Sequence, residues 1–222
     1  MIQLNNITKD FTDGSKEVTV LKPTNLMINS GEFIAVVGPS GSGKSTLLTI
    51  VGALQKPTGG TISINGENIY DLTENERSDL RFKSIGFVLQ GANLIPYLTI
   101  KEQFELKLIQ AKRSNRKQII KETLEQLSIE KIQNKYPDEV SGGERQRAAI
   151  GLALLLNPLI LLADEPTASL DTQKAFKVVE LLKELSRKRR ACVVMVTHDQ
   201  RMLSFCDRVL EMRDGELKEI EE

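Results

Sequence analysis

The hydrophobic residues of this chain fall into short, continuously apolar runs that are separated by longer polar and amphipathic stretches. The runs that predict buried strands lie at residues 33–37, 85–89, 159–163 and 191–196. A strand that is apolar at every position is typical of a parallel sheet, because both of its faces are covered. Residues 45–51 and 172–189 instead carry apolar side chains at helical spacing. Strands that alternate with helices predict an α/β fold with right-handed crossovers.

Weaker strand patterns occupy the first third of the chain and its end. The segments concerned are residues 2–8, 18–21, 26–28 and 61–64, the last followed by the turn pair Asn65-Gly66, and residues 209–212, followed by Asp214-Gly215. Asn-Gly and Asp-Gly pairs between apolar segments are typical of hairpins. We therefore expect a small, largely antiparallel sheet beside the parallel sheet, and a final hairpin.

A charged, helical pattern replaces the strand pattern between residues 101 and 133, where isoleucines and leucines recur among lysines and glutamates. The charged residues are expected to form a solvated helical face. We interpret residues 91–157 as a helical insertion into a core formed by residues 1–90 and 158–222. The whole chain, residues 1–222, is then a single domain, which its length allows.

Composition excludes several classes of protein. Thirty Lys and Arg residues balance thirty Asp and Glu residues, which argues against a nucleic-acid binder that relies on bulk charge. Cys192 and Cys206 are too few for a disulfide framework or a zinc ribbon, and we expect them to be small buried hydrophobes in a reducing cytoplasm. We expect no signal peptide, because the first residues lack its charged and apolar regions. We expect no membrane span, because the longest apolar stretch is interrupted at Asn157-Pro158. If the protein works at a membrane, another chain must supply the spanning part.

A glycine-rich loop follows the first buried strand and precedes the first helix. It comprises Gly38, Pro39, Ser40, Gly41, Ser42, Gly43, Lys44, Ser45 and Thr46, which fits the phosphate-binding pattern G-x-x-x-x-G-K-[ST]. Backbone N–H groups of such a loop converge on phosphates at the helix N-terminus. Lys44 can reach the β- and γ-phosphates, and the Ser45 hydroxyl can bind Mg²⁺. The alternative, a glycine-rich turn with a solvated lysine, does not explain the strand and helix on either side.

Polar residues follow three of the buried strands, where parallel sheets place their ligands. Asp164 and Glu165 end one strand, and adjacent carboxylates there are costly unless a cation compensates them. Asp164 is the expected ligand of the Mg²⁺ ion, and Glu165 is placed to activate or orient an attacking water. His198 is expected at the γ-phosphate, and Gln90 at both the metal and the water. The alternatives are an acidic helix cap, a surface or core histidine, and an ordinary polar residue that ends a strand.

A second helix N-terminus follows a capping pattern. Ser141, Gly142, Gly143 and Glu144 fit S-x-x-E, which predicts Ser141 as the N-cap of the helical run 145–156. The two glycines leave backbone N–H groups available to an anion. The chain therefore carries two candidate anion sites, about a hundred residues apart.

These motifs, in this order and spacing and together with Ser169-Leu170-Asp171, resemble those of ATP-binding-cassette (ABC) ATPases over essentially the whole chain. The resemblance implies a phosphate-loop core with an antiparallel β subdomain. It also implies a head-to-tail homodimer that binds ATP and Mg²⁺ between one subunit's phosphate loop and the other's Ser141-Gly142-Gly143 segment. Phe11 matches the aromatic residue that stacks on adenine; otherwise it would be a core residue of the small sheet.

Within the family, residues 86–99 resemble the MacB-type exporter branch, and residues 93–98, 136–137 and 168–171 look most like haem-efflux ATPase subunits. This implies an ATPase at the cytoplasmic face of the cell membrane that powers a separate permease. The permease would contact the Gln90 to Thr99 region, with no nucleic acid bound and no direct contact with the cargo. An antimicrobial peptide or a lipoprotein is the alternative cargo.

Two positions depart from the wider family, where Gln is usual at Glu144 and Arg is common at Leu152. Backbone donors are unaffected by the first departure, and the second removes a possible local ion pair. Two other functions remain as alternatives. A cassette that acts on ribosomes or DNA usually has two cassettes, zinc motifs or long insertions. A phosphate-loop kinase would give no reason for Ser141-Gly142-Gly143 and His198.

Overall fold

Two sheets and six α-helices make up the chain, and the computed structural model describes residues 1–14 and 16–220. Residues 15, 221 and 222 of the predicted domain lie outside the described part. The strands are β1 (Ile2–Asp13), β2 (Lys16–Ile28), β3 (Phe33–Val37), β4 (Gly59–Ile64), β5 (Glu67–Asn68), β6 (Ile85–Val88), β7 (Ile160–Asp164), β8 (Cys192–Val196), β9 (Arg208–Arg213) and β10 (Glu216–Ile220). The helices are α1 (Lys44–Val51), α2 (Glu74–Ser84), α3 (Ile100–Gln110), α4 (Arg116–Gln126), α5 (Gly142–Leu154) and α6 (Thr172–Arg189).

The larger sheet has six strands in the order β10-β9-β3-β8-β7-β6. Its strands pair in parallel except for the antiparallel hairpin of β9 and β10. Every residue of β7 and β8 is buried. Neighbouring residues of β8 contribute to different clusters, Val193 and Met195 to one and Val194 and Val196 to the other. Burial on both faces explains the continuously apolar runs and confirms the predicted parallel sheet.

The smaller sheet is antiparallel, in the order β2-β1-β4-β5, which confirms the predicted β subdomain. The prediction of two separate strands at residues 18–21 and 26–28 is wrong, because β2 is one strand of thirteen residues. Pro23 lies inside it. Since β2 is the edge of its sheet, a residue without an N–H group is tolerated there.

The middle of the chain is helical, as predicted, and includes two 3₁₀ turns between α4 and α5. Three helices, α2, α3 and α5, begin with a reciprocal capping box, at Thr73, Thr99 and Ser141. Helix α2 was not predicted from the pattern. No helix within the described ranges combines the length and apolarity that a membrane crossing requires.

A half-buried lysine joins two of the middle helices. Lys107 of α3 donates from Nζ to the carbonyl oxygen of Leu152 in α5, at 2.7 Å. Leu152 is the position where the wider family commonly has Arg, so a lysine from a neighbouring helix places a positive charge near the end of α5. Burial lowers the pKa of Lys107 to about 8.

This burial predicts a rise of stability with pH. The unfolded chain keeps the Lys107 proton up to its ordinary pKa, whereas the folded chain releases it from about pH 8. Between these values the unfolded state binds more protons, so the free energy of unfolding increases with pH. We expect wild type to gain about 1 kcal/mol relative to Lys107→Met between pH 7 and 10, allowing for partial exposure. Urea denaturation at each pH measures the difference. Parallel curves for the two proteins would contradict it, and Lys101→Met, at an exposed position of α3, is the matched control.

Candidate active site

The glycine-rich loop between β3 and α1 is held against two strands so closely that only glycine fits. Gly38 has φ of 143°, and a Cβ atom there would lie 2.1 Å from the carbonyl oxygen of Met212 in β9. Gly43 has φ of 108°, and its Cβ would lie 2.8 Å from the carbonyl oxygen of Val20 in β2. Both sheets therefore fix the loop, and the loop delivers the N-terminus of α1 to a fixed place.

The charged and hydroxyl side chains at the start of α1 make defined contacts. Lys44 donates from Nζ to the carbonyl oxygens of Gly38 and Pro39, at 2.8 and 2.7 Å. Ser45 donates from Oγ to Oδ2 of Asp164 at the end of β7, at 2.7 Å. Asp164 is only 8% exposed. The hydroxyl after the lysine and the strand-end carboxylate, 119 residues apart in sequence, thus meet directly.

Glu165 is held in an unusual backbone conformation beside His198. Its φ is 49°, in the left-handed region that non-glycine residues seldom adopt, and its N–H donates to the carbonyl oxygen of Val196 at 3.0 Å. Nδ1 of His198 lies 2.8 Å from Oε1 of Glu165. The His198 side chain is 76% exposed and that of Glu165 is 13% exposed. Backbone strain at a strand end next to a paired imidazole is typical of a functional site.

Most of the predicted site residues line one cavity of about 580 Å³. The predicted residues that line it are Phe11, Gly38, Ser40, Gly41, Gly43, Lys44, Ser45, Thr46, Gln90, Asp164, Glu165 and His198. Phe11 is 39% exposed, so it is not a core residue of the small sheet. Nζ of Lys9 lies 5.0 Å from the centre of the Phe11 ring.

Some predicted residues lie elsewhere, and some lining residues were not predicted. Among the described residues, Pro39, Ser42 and the segment 141–144 do not line this cavity. Ser42 is buried, and its Oγ has no hydrogen-bond partner in the part of the chain that the structure describes. Val20, Ala168 and Val196 also line the cavity, although they were not predicted as site residues.

Ser141 is the N-cap of α5, as predicted. Its Oγ accepts from the Glu144 N–H at 3.3 Å, and Glu144 Oε2 accepts from the Ser141 N–H at 2.9 Å. Hydrogen bonds from the backbone and hydroxyl of Ser141 hold the pKa of Glu144 below its ordinary value. The N-terminus of α5 therefore carries a carboxylate next to the backbone donors of Gly142 and Gly143.

The sequence matches the family described as "ABC transporter" over residues 21–168. A Staphylococcus haemolyticus (strain JCSC1435) protein, named "Putative hemin import ATP-binding protein HrtA", is 42% identical over 219 residues, which cover 98% of this chain and 99% of that relative. A protein of the same name from Staphylococcus aureus (strain MRSA252) is 43% identical over 215 residues, 96% of each chain.

Solved structures give the same result. One, described as the "Dimeric structure of a post-hydrolysis state of the ATP-binding cassette MJ0796 bound to ADP and Pi", is 40% identical, with a TM-score of 0.93 and complete coverage of both chains. Another, described as the "Dimeric Structure of MJ0796, a Bacterial ABC Transporter Cassette", is 41% identical with the same TM-score and coverage. The chain therefore belongs to the ABC transporter family, as the ATP-binding and ATP-hydrolysing subunit of a transporter.

Proposed function

We propose that this subunit hydrolyses ATP in the 580 Å³ cavity to power a separate MacB-type permease that exports haem. The observation that carries the hydrolytic part is the convergence of Ser45, Asp164, Glu165 and His198 on one cavity. For haem, the support is the name of the Staphylococcus relatives, together with the resemblance of residues 93–98 to haem-efflux subunits. That name says import, whereas the resemblance of residues 86–99 to exporters favours efflux.

Different residues of the cavity would have different roles in phosphoryl transfer. Lys44 and the loop N–H groups would bind the β- and γ-phosphates, with Phe11 against the adenine. Glu165 is buried enough to hold a water in line with the γ-phosphorus and to accept its proton. His198 would lie beside a γ-phosphate oxygen, and its contact with Glu165 orients both side chains. Gln90 would hold the other side of the water.

The residues present fit Mg²⁺. No set of three or more His, Cys, Asp and Glu side chains within the described ranges is placed to hold a metal. Mg²⁺, however, commonly takes one or two protein oxygens and completes its shell with phosphates and water. Ser45 Oγ and Asp164 Oδ2, 2.7 Å apart, are such oxygens, and Gln90 lines the same cavity. When bound, the ion would neutralise charge that develops on the phosphates.

A head-to-tail homodimer is proposed because the cavity lacks the second anion site. Ser141, Gly142, Gly143 and Glu144 do not reach it within one described chain. We propose that the backbone donors of α5 bind a nucleotide held by another subunit. The two cassettes described as dimeric support this arrangement.

The proposed permease contact lies on the segment that leaves the cavity at Gln90. Tyr97 in this segment is 85% exposed and Ile95 is 44% exposed, which suits a protein contact. We propose that this contact holds the subunit at the cytoplasmic face of the membrane, without contact to the cargo. We also propose that residues 91–157 form a helical subdomain, since every regular element described there is an α-helix or a 3₁₀-helix.

A growth panel in the host tests the cargo and the direction of transport. Cells whose only copy is Glu165→Gln would be grown with haemin, with membrane-active peptides, and with a lipoprotein-maturation reporter. Selective hypersensitivity to haemin is expected, because an exporter without turnover cannot clear it. Poor growth when haemin is the sole iron source, without hypersensitivity, would indicate import. Sensitivity to peptides, or a reporter defect, at normal haemin tolerance would discard haem as the cargo.

A further inference from the structure

A second cavity, of about 410 Å³, lies between the start of α5 and the segment after β6, which comprises residues 89–99. Gly91 and Asn93 line one side of it, and Gly142, Arg145 and Gln146 line the other. Gln90 lines the 580 Å³ cavity, so two consecutive residues face two different cavities. The segment after β6 therefore connects the proposed hydrolytic site with α5, the helix that Ser141 caps.

Gln146 contributes a buried amide to this second cavity. The residue is 4% exposed, and its Nε2 has no hydrogen-bond partner among the described residues. A buried donor without an acceptor is unfavourable, so such a group is expected to find its acceptor in another state of the protein. An acceptor that enters the cavity from the opposite side would satisfy it.

Gln103 shows how the same segment is held elsewhere. It is 3% exposed, its Oε1 accepts from the Ile95 N–H at 2.9 Å, and its Nε2 donates to the carbonyl oxygen of Leu98 at 3.0 Å. This buried glutamine thus fixes the second half of the segment to α3. Gln146 of α5 stands opposite the first half and lacks the corresponding bond.

The first half of this segment, residues 91–94, contains two positions whose backbone can change conformation at low cost. Gly91 has φ of 88° and Asn93 has φ of 37°, both in the left-handed region. Glycine passes between positive and negative φ at little cost, and asparagine adopts the left-handed region more readily than most residues. A change at these two positions redirects the carbonyl groups between them while Gln103 continues to hold Ile95.

We propose that Gln146 is a positioning residue for ATP hydrolysis. Its side-chain amide donates to a backbone carbonyl of residues 91–94 when Gln90 engages the nucleotide, and this bond fixes Gln90 towards the γ-phosphate. The inference rests on the proposed role of Gln90. Because Gln146 lies on the helix that Ser141 caps, the bond also joins one subunit's hydrolytic residue to the element that would bind the partner's nucleotide.

Gln146→Met tests the proposal, since methionine keeps the length and apolar stem but removes the donor. We expect kcat to fall at least about tenfold, as for the loss of one hydrogen bond in the transition state, with KM within about twofold. The thermal midpoint should not fall, because an unpaired buried amide is removed. In a Glu165→Gln background, ATP should slow hydrogen exchange of the amides of residues 91–94, because a bond to one of their carbonyl groups restrains the backbone of this segment. The added Gln146→Met should abolish that protection.

Gln118→Met is the matched control, because Gln118 is exposed on α4 and bonds only its neighbour Glu122 in the described structure. It should leave kcat and the exchange pattern unchanged. Wild-type kcat and protection in Gln146→Met would overturn the proposal. A lowered thermal midpoint with general loss of activity would overturn it in favour of a structural role. A defect seen only with the permease present would overturn it in favour of a permease contact. Failure of ATP to protect the phosphate loop of Glu165→Gln itself would instead reject the proposed site.

Discussion

Glu165→Gln is expected to bind ATP and dimerise like wild type, but to hydrolyse ATP at least about 10²-fold more slowly. The amide keeps the shape of the side chain and one oxygen that can accept from His198, but it cannot accept the proton of an attacking water. Binding survives because Lys44, Ser45 and the loop N–H groups are untouched. Phosphate release under single-turnover conditions measures the rate, and gel filtration with and without ATP measures the dimer.

The geometry around Glu165 makes this prediction specific. Its side chain is 13% exposed and its backbone is strained at φ of 49°. The surrounding structure therefore fixes where the side chain lies, and the substitution changes only its ability to accept a proton. Glu125→Gln, on the surface of α4 in a weak pair with Lys121, is the matched control and should hydrolyse ATP normally. Turnover in Glu165→Gln close to that of Glu125→Gln would remove Glu165 from the role of base.

Ser141→Arg is expected to abolish hydrolysis even though the whole 580 Å³ cavity stays intact. The substitution removes the cap of α5 and places a long side chain where the partner's γ-phosphate would approach. Within one chain Ser141 does not line the cavity, so a subunit that worked alone would tolerate the change. Loss of activity with normal ATP binding by the monomer would therefore locate the effect at the dimer interface.

Mixing subunits makes the test sharper. Ser141→Arg keeps its phosphate loop, and Lys44→Ala keeps its α5 N-terminus, so each mixed dimer has one composite site with both halves intact. An equal mixture should recover at most about a quarter of the wild-type rate, since half of the dimers are mixed and each has one working site. Ser141→Ala, which loses only the cap, controls for helix stability. A fully active Ser141→Arg homodimer would show that the sites are not shared.

The parts of the fold that were predicted from sequence are those whose burial is periodic or complete. Helix α6 runs over Thr172–Arg189, as expected from its apolar face and basic end. The strands of the parallel sheet were found within one or two residues, because burial on both faces leaves no polar position to obscure them. In these elements local propensity and tertiary environment favour the same structure.

The parts that were missed lack such a signal. Helix α2 contains no buried residue, so no apolar face marks it, and it begins with a capping box at Thr73 and pairs its charges along the surface. The gap predicted within β2 contains Pro23, a residue that would interrupt a central strand but is tolerated in an edge strand. In both cases the position of the element in the whole molecule, rather than its composition, decided the outcome.

For the candidate site, sequence predicted which residues converge but not what they touch. The phosphate loop and the strand ends were expected at one sheet edge, and their residues line one cavity there. The hydrogen bond from Lys107 to Leu152 and the buried amide of Gln146 have no sequence signal. Both depend on how separate helices face each other, which periodicity along one segment does not encode.

The strand order has a consequence for how the subunit is made. The phosphate loop leaves β3, whose neighbours in the sheet are β8 and β9, from the last third of the chain. On the ribosome, residues 33–46 therefore emerge long before the strands that will flank them, and such distant pairing is slow. The phosphate loop therefore lacks its close contact with the carbonyl oxygen of Met212 until synthesis is nearly complete. Premature termination within β8 or β9 would release a chain with the edge of β3 unpaired, a substrate for proteases rather than a weakened ATPase.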